Sequence, residues 1–215
     1  KLVETATLAL KQKLIGRGLI RTDSSSQEFF QACRSYEEEM GPLTAQAQYQ
    51  QPPEVNWDDK TYRGDAYATY AWAVYVADVA VDTRTWQVTV EDFVAMQDVG
   101  KVVHPVLAAG QIEGGVVQGI GFALSEKVVW KNGGMANNRL TNYIIPTAAD
   151  VPIIRAFFEE HPTQYGPSGA KGIGELPLDG AAPAIINAVD NALGFATNSV
   201  PMLPEDLFEC QLERQ

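Results

Sequence analysis

Apolar residues recur along this chain at two different periods. A spacing of about 3.6 residues predicts helices over residues 2–14, 28–40, 105–127, 180–193 and 204–213. Alternation, or enrichment in β-branched and aromatic residues, predicts strands over residues 43–49, 70–81, 86–91 and 153–159, with a short hairpin between 128 and 145. Helices and strands are interleaved without a regular βαβ rhythm. We therefore expect an α+β fold with a mixed, mainly antiparallel sheet and packed helices.

Local signals refine the ends and surroundings of these elements. Residues 24–27 (SSSQ) have the form of a capping box ahead of the second helix. Asp179 is the expected N-cap of the fourth helix, and Gly194 ends it. The strand over residues 70–81 has no clean period, so we expect it to be covered on both faces.

Residues 50–62 carry the prolines and acids of a connecting loop and form the expected seam of the chain. We assign residues 1–66 to an N-terminal helical and linker region and residues 67–215 to a C-terminal subdomain. The sequence begins at Lys1 with helix-like residues and has none of the features of a signal peptide, so we expect it to begin within a longer protein.

The charge balance limits the classes of partner. The 27 acidic residues outnumber the 16 basic ones, the formal net charge is −11, and no run is rich in Lys or Arg. This balance disfavours nucleic acid and anionic membranes as partners. No apolar run approaches the roughly 20 residues that span a bilayer. Cys33 and Cys210 fit no CxxC spacing, so we expect free thiols in a reducing, cytoplasmic compartment.

Residues 166–175 (GPSGAKGIGE) contain four glycines and end in a single carboxylate, Glu175. The apolar residues Leu176, Pro177 and Leu178 follow directly. A carboxylate between bare backbone and an apolar wall is poorly hydrated, and this environment suits a general base. The alternative is a surface turn followed by the start of a helix.

The helix that begins at Pro105 has a second glycine-rich pattern. Gly110, Gly114, Gln118 and Gly121 share one helical face, although each interior glycine costs about 1 kcal/mol relative to alanine. Such a face indicates that something approaches the backbone closely, and the Gln118 amide can recognise the edge of a heterocycle. The alternative is tight packing of the helix on a sheet, with Gln118 bonded to a buried carbonyl.

Several common sites are excluded by spacing. Residues 119–121 (GIG) lie inside a helix and so are no dinucleotide fingerprint, and the chain has neither a GK[ST] motif nor HExxH. Both histidines, His104 and His161, lie beside prolines in expected turns, and we interpret them as ordinary loop residues.

Three motifs occur in order: residues 98–105 (DVGKVVHP), 110–121 (GQIEGGVVQGIG) and 170–177 (AKGIGELP). Together they resemble the C-terminal part of the molybdenum-binding subunit of the xanthine dehydrogenase/aldehyde oxidase family. The resemblance covers about residues 67–206 and is loose over residues 1–66.

The resemblance implies a molybdenum hydroxylase that oxidises an aldehyde or an N-heterocycle, with water as the oxygen source and Glu175 as general base. It implies molybdopterin, in its plain or cytosine dinucleotide form, close to the backbone of Lys171, Gly172 and Gly174, with Gln118 bonded to the pterin or its phosphate. It assigns no direct metal ligand to this chain. The expected partners are a small-molecule substrate, the rest of the molybdenum-binding domain, and domains or subunits that carry 2Fe-2S clusters and FAD.

The family's earlier molybdenum and pterin loops are absent from these residues, and two cysteines cannot ligate an iron–sulfur cluster. We therefore expect one wall of a site, inactive by itself. Two other hypotheses stay open: a non-catalytic homologous assembly module, and an unrelated α+β domain that binds a small molecule.

Overall fold

The structure, a computed structural model, describes residues 1–214. The helices are α1 (Leu2–Gly16), α2 (Ser26–Met40), α3 (Pro105–Leu124), α4 (Leu176–Asp179), α5 (Ala181–Leu193) and α6 (Pro204–Leu212). The strands are β1 (Asn56–Asp58), β2 (Arg63–Asp65), β3 (Trp72–Asp82), β4 (Gln87–Asp98), β5 (Trp130–Lys131), β6 (Gly134–Met135) and β7 (Ile153–Glu159). Two compact units form, the first over Lys1–Ala68 and the second from Thr69 onward. The division into functional domains at residue 66 stays a prediction.

The first unit contains α1, α2 and the β1–β2 hairpin. The Ser25 hydroxyl accepts the Glu28 amide N–H while the Glu28 carboxylate accepts the Ser25 N–H, so a capping box is present, one residue later than the predicted residues 24–27. Helix α2 begins at Ser26. A small core of Leu14, Ile20 and Ala32 joins the two helices.

The second unit is built on a three-stranded sheet with the order β3-β4-β7. The β3–β4 pair is antiparallel and the β4–β7 pair is parallel, which confirms the mixed α+β fold. One face carries the buried side chains of Phe93 and Ala95. The other face is exposed at Trp72 and Phe157, so the prediction that β3 is covered on both faces is wrong. The aromatic and β-branched run in β3 hid an alternation in which only every second residue faces the core.

Helices α3 and α5 cover the inner face of the sheet. Ile112 and Val116 of α3 are fully buried, as are Ile185 and Val189 of α5. His104 is the N-cap of α3, because its Nδ1 accepts the Leu107 N–H at 3.3 Å. His104 therefore lies in a loop, as interpreted, and in addition caps the helix that follows.

Other elements differ from their predictions in their strand partners or in the residues at which they begin and end. Residues 43–49 alternate in burial as their pattern predicts, but they pair with no strand in the part of the chain that the structure describes. The hairpin after α3 is confirmed only over β5 and β6, and residues 140–145 form no strand. Gly180 caps α5, because Asp179 already ends the short helix α4.

Cys33 and Cys210 are free thiols, as expected. Among residues 1–214, no helix combines the length and apolar character that a membrane span requires.

Candidate functional site

A buried ion pair anchors the loop that leads to Glu175. Asp98, at the end of β4, accepts a hydrogen bond from Lys171 Nζ at 2.7 Å, and the two side chains are only 10% and 8% exposed. Its carboxylate also accepts the backbone N–H groups of Gly100 and His161, at 2.9 and 3.3 Å. Burial acts to raise the pKa of Asp98, but the hydrogen bonds from Lys171, Gly100 and His161 outweigh it, so the pKa lies below its ordinary value.

Backbone bonds join the same two segments. The Lys171 N–H donates to Val99 O at 2.8 Å, and the Lys101 N–H donates to Gly169 O at 3.0 Å. Gly100 has a φ of +67°, and a Cβ there would lie against Gly169 O. The first and third sequence motifs thus form one rigid junction. The backbone N–H and the ammonium group of Lys171 both serve this junction, so the predicted cofactor contact at the Lys171 backbone has only the carbonyl and van der Waals contact left to it.

Glu175 is exposed at the start of α4. Pro177 is buried against Gly115 of α3 instead of lying beside the carboxylate. The expectation that apolar neighbours enclose Glu175 is therefore wrong for the residues of this chain. The carboxylate can be reached from outside, and any water-poor environment around it has to come from other groups.

At four exposed positions on α3 and in the loop before Glu175, no contact among residues 1–214 requires glycine. A Cβ built on any of them meets no heavy atom within 4 Å, and none has a φ in the left-handed region. We call them the open glycines: Gly110, Gly114, Gly172 and Gly174. Other glycines on the same helix differ, since a Cβ on Gly115 would lie 2.5 Å from Pro177 Cβ and one on Gly119 would lie 2.5 Å from Ala181 Cβ. Neither packing nor backbone conformation in this chain requires glycine at the open positions.

The Gln118 side chain is exposed and makes no hydrogen bond to any of residues 1–214. The packing alternative, in which Gln118 satisfies a buried carbonyl, is therefore wrong. Packing does account for Gly121, where a Cβ would meet the Glu126 carboxylate and Pro146. The amide of Gln118 is free for an external partner, as the sequence predicts, while its role stays a prediction.

Sequence reasoning missed Gln111, whose Nε2 donates to Gly174 O at 3.0 Å. Gln111 precedes Gln118 by seven residues, or about two helical turns, so the two amides lie on the same side of α3. This seven-residue spacing is visible in the sequence and could have identified Gln111 as a second amide on that side of the helix. Gln111 links the second motif directly to the residue before Glu175.

Two cavities lie in the second unit. One of about 270 Å³ lies between the loop after β4, the start of α3 and residues 170–173, and its lining includes Lys101, His104, Gln111 and Lys171. The other, of about 580 Å³, lies between β4, the end of α3 and residues 144–151. Glu175 and Gln118 line neither of these two cavities, and both side chains are exposed. Residues 1–214 contain no cluster of three or more His, Cys, Asp or Glu side chains suited to a metal.

Comparison with known proteins identifies the family. A family model described as molybdopterin cofactor-binding domain matches residues 3–152, which includes the N-terminal region that the motifs matched only loosely. The match ends before the segment that carries Glu175.

Aldehyde oxidoreductase of Megalodesulfovibrio gigas is 35% identical over 159 residues, which are 71% of this chain and 16% of that protein. The xanthine dehydrogenase molybdenum-binding subunit of Escherichia coli O157:H7 is 36% identical over 65% of this chain and 19% of that protein. The crystal structure of aldehyde oxidoreductase from Desulfovibrio gigas superposes with a TM-score of 0.72 and 31% identity, covering 82% of this chain and 19% of that chain.

The chain spans between 15% and 22% of the length of the curated relatives it matches. The match of the family model to most of the chain, the sequence identity and the shared fold agree with one another. The chain therefore belongs to the molybdopterin cofactor-binding family, as part of a molybdenum-binding subunit of the xanthine dehydrogenase and aldehyde oxidoreductase type.

Proposed function

We propose that this chain forms one wall of the active site of a molybdenum hydroxylase that oxidises an aldehyde or an N-heterocycle, with Glu175 as general base. The open glycines carry the proposal. Each interior glycine of α3 costs about 1 kcal/mol of helix stability, and no close packing among residues 1–214 offsets that cost at Gly110 or Gly114. A bound group that approaches the backbone closely accounts for them.

The residues present fit molybdopterin in shape and in hydrogen-bonding groups. The backbone at Gly172 and Gly174 is bare and exposed, and the amides of Gln118 and Gln111 lie on the same side of α3. Peptide groups and amides match the donors and acceptors of a pterin and a phosphate. When bound, the cofactor supplies the redox centre of the hydroxylation, with water as the oxygen source. Its cytosine dinucleotide form suits the same surface.

Glu175 is the residue of this segment that can act as a base. Lys171 is buried in its pair with Asp98, whereas the Glu175 carboxylate is exposed and directly follows the open glycines Gly172 and Gly174 in the sequence. A general base must come within hydrogen-bond reach of the proton that it accepts, about 2.6–3.2 Å, and an exposed carboxylate beside bare backbone allows this approach. The cofactor, the substrate and adjoining parts of the parent protein would exclude water around it.

The active enzyme needs more than these residues. We propose that the rest of the molybdenum-binding domain and domains or subunits carrying 2Fe-2S clusters and FAD complete it in the cytoplasm, and that this chain alone is inactive. The small share of each relative that the chain spans supports this proposal.

The test is Glu175→Gln in the intact parent enzyme. The substitution keeps size and hydrogen bonding but removes the basic oxygen, so turnover should fall by about 10²–10⁴-fold with molybdenum content unchanged. Glu209→Gln, on the exposed surface of α6, is the matched control and should change neither quantity. Full activity of Glu175→Gln would remove Glu175 from the mechanism, and loss of molybdenum would make its role structural.

The roles of the Gln118 and Gln111 amides can be distinguished in the same enzyme. Gln118→Ala should reduce molybdenum content without disturbing the loop, because the Gln118 side chain is exposed and makes no hydrogen bond to any described residue. Gln111→Ala also removes the bond to Gly174 O. If Gln111→Ala alone lowers molybdenum content, the cofactor contact belongs to Gln111 and the prediction for Gln118 is wrong.

A further inference from the structure

Side chains from two other elements hold the carbonyl groups on both sides of Glu175. Gln111 Nε2 donates to Gly174 O at 3.0 Å, and the Tyr75 hydroxyl of β3 donates to Leu176 O. The carbonyl of Glu175 itself accepts the N–H of Leu178 at 2.9 Å within α4. The backbone around this exposed carboxylate is thus bonded at three successive carbonyls.

The Tyr75 side chain is fixed on several sides. Its ring lies where a side chain on Gly180 would be, so only glycine fits at the junction of α4 and α5. The ring also packs on Phe93, with 6.2 Å between the centroids. The phenol is therefore held between the sheet and the segment that carries Glu175.

A buried amide sets the direction of the hydrogen bond from Tyr75. Gln97 is fully buried, and its Nε2 donates to the Tyr75 hydroxyl oxygen at 2.9 Å. Because the phenol accepts from Gln97, its single proton is left for Leu176 O. Burial raises the pKa of Tyr75 to about 12, so the hydroxyl keeps its proton at any pH near neutrality.

We propose that Tyr75 is a positioning residue for Glu175: its hydroxyl, oriented by Gln97, holds Leu176 O and fixes the backbone from which the carboxylate projects. The proposal rests on the proposed function of Glu175 as the general base. Gln111 supports the other side of the same residue. Glu175 is exposed in this chain, so the position of its carboxylate depends on the backbone that carries it. The hydrogen bonds from Tyr75 and Gln111 hold that backbone in place.

The test compares Tyr75→Phe with Tyr143→Phe in the intact, cofactor-loaded parent enzyme. Tyr75→Phe keeps the ring against Gly180 and removes only the hydroxyl. Tyr143→Phe removes a comparable bond, to the Glu126 carboxylate at 2.7 Å, elsewhere in the second unit. Hydrogen exchange of the amides that donate to Glu175 O is measured beside kcat, KM and molybdenum content.

We expect Tyr75→Phe to speed exchange at Leu178 and Asp179 by about three- to tenfold, the range for loss of one hydrogen bond. The kcat per bound molybdenum should fall by a similar factor, with KM and molybdenum content unchanged. Tyr143→Phe should alter none of these. If the unpaired Gln97 amide destabilises Tyr75→Phe, the double variant Tyr75→Phe/Gln97→Leu removes that amide and should give the same exchange and kcat.

Unchanged exchange at Leu178 and Asp179 would overturn the proposal, and so would faster exchange with an unchanged kcat per molybdenum. Full turnover of Glu175→Gln would instead overturn the proposed function of Glu175. The bond from Tyr75 to Leu176 O would then have no role in catalysis. The exchange rates report on the Tyr75 contact whether or not Glu175 is the base. The two failures are therefore distinguishable.

Discussion

Two adjacent glycines of α3 should respond to alanine with opposite effects on stability. Gly114 faces open space, where a Cβ meets no heavy atom within 4 Å. On Gly115 a Cβ would lie 2.5 Å from Pro177 Cβ and 3.0 Å from the Pro177 carbonyl carbon. The substitutions are chemically identical and one residue apart in the same helix, so they differ only in what the added methyl group meets.

The magnitudes follow from two terms. Alanine should raise helix stability by about 0.5–1 kcal/mol at either position, because both glycines are interior to α3. At Gly115 the methyl group overpacks a buried contact, which typically costs about 1–3 kcal/mol. The gain in helix stability from alanine is the same for both variants. Their free energies of unfolding should therefore differ by the overpacking cost of about 1–3 kcal/mol, with Gly114→Ala the more stable.

Urea-dependent hydrogen exchange in β3 and β4 measures this difference within the second unit, independently of the first. Molybdenum content of the parent enzyme is the second readout, because the methyl group of Gly114→Ala occupies the space assigned to the cofactor. We expect a more stable protein that retains less molybdenum. A destabilised Gly114→Ala would show that Gly114 has a packing role in the chain, and unchanged molybdenum content would show that no cofactor approaches α3 there.

Three further outcomes follow from the contacts of other residues. Lys171→Met should lower the free energy of unfolding by about 3–5 kcal/mol because it leaves the buried Asp98 carboxylate without its lysine partner. Lys101→Met breaks an exposed pair and should cost at most about 1 kcal/mol, and urea unfolding compares the two variants. The second unit should lose stability as the pH falls from about 4 through the lowered pKa of Asp98, and Asp98→Asn should flatten that part of the curve in unfolding measured against pH. Ser25→Ala should cost about 0.5–2 kcal/mol and increase exchange in the first turn of α2, and an unaffected α2 would show that its capping box adds no stability.

Secondary structure was predictable where local signals and burial agree. The helix that begins at Pro105 and the strand over Ile153–Glu159 begin where their patterns change period. Residues 43–49 show what local patterns omit, since their alternation is matched by alternating burial but no strand lies beside them. A pattern of side chains reports which side of a segment is covered, whereas a strand also requires a neighbour supplied by tertiary structure.

The candidate site was predictable in its position along the chain and less so in its environment. The glycine spacing pointed to α3 and to the loop before Glu175, but it could not separate Gly114 from Gly115, because the neighbour that distinguishes them is Pro177, about 60 residues away in sequence. The apolar residues after Glu175 were assigned to its surroundings, whereas Pro177 packs into the core. Lys171 could not be recognised as a structural anchor without its buried partner.

The stability of α3 links the glycines to function. Gly110 and Gly114 together lower its stability by about 2 kcal/mol relative to alanine, and no close packing in the described part of the chain offsets this loss. On the same helix Gly115 and Gly119 make room for Pro177 and Ala181, so close packing does compensate there. Such an uncompensated cost on one side of the helix is what we expect if the proposed cofactor binds on that side. A ligand that binds only the folded state would restore the lost stability. The same glycines would then account for both the low stability of the free helix and the fit of its ligand.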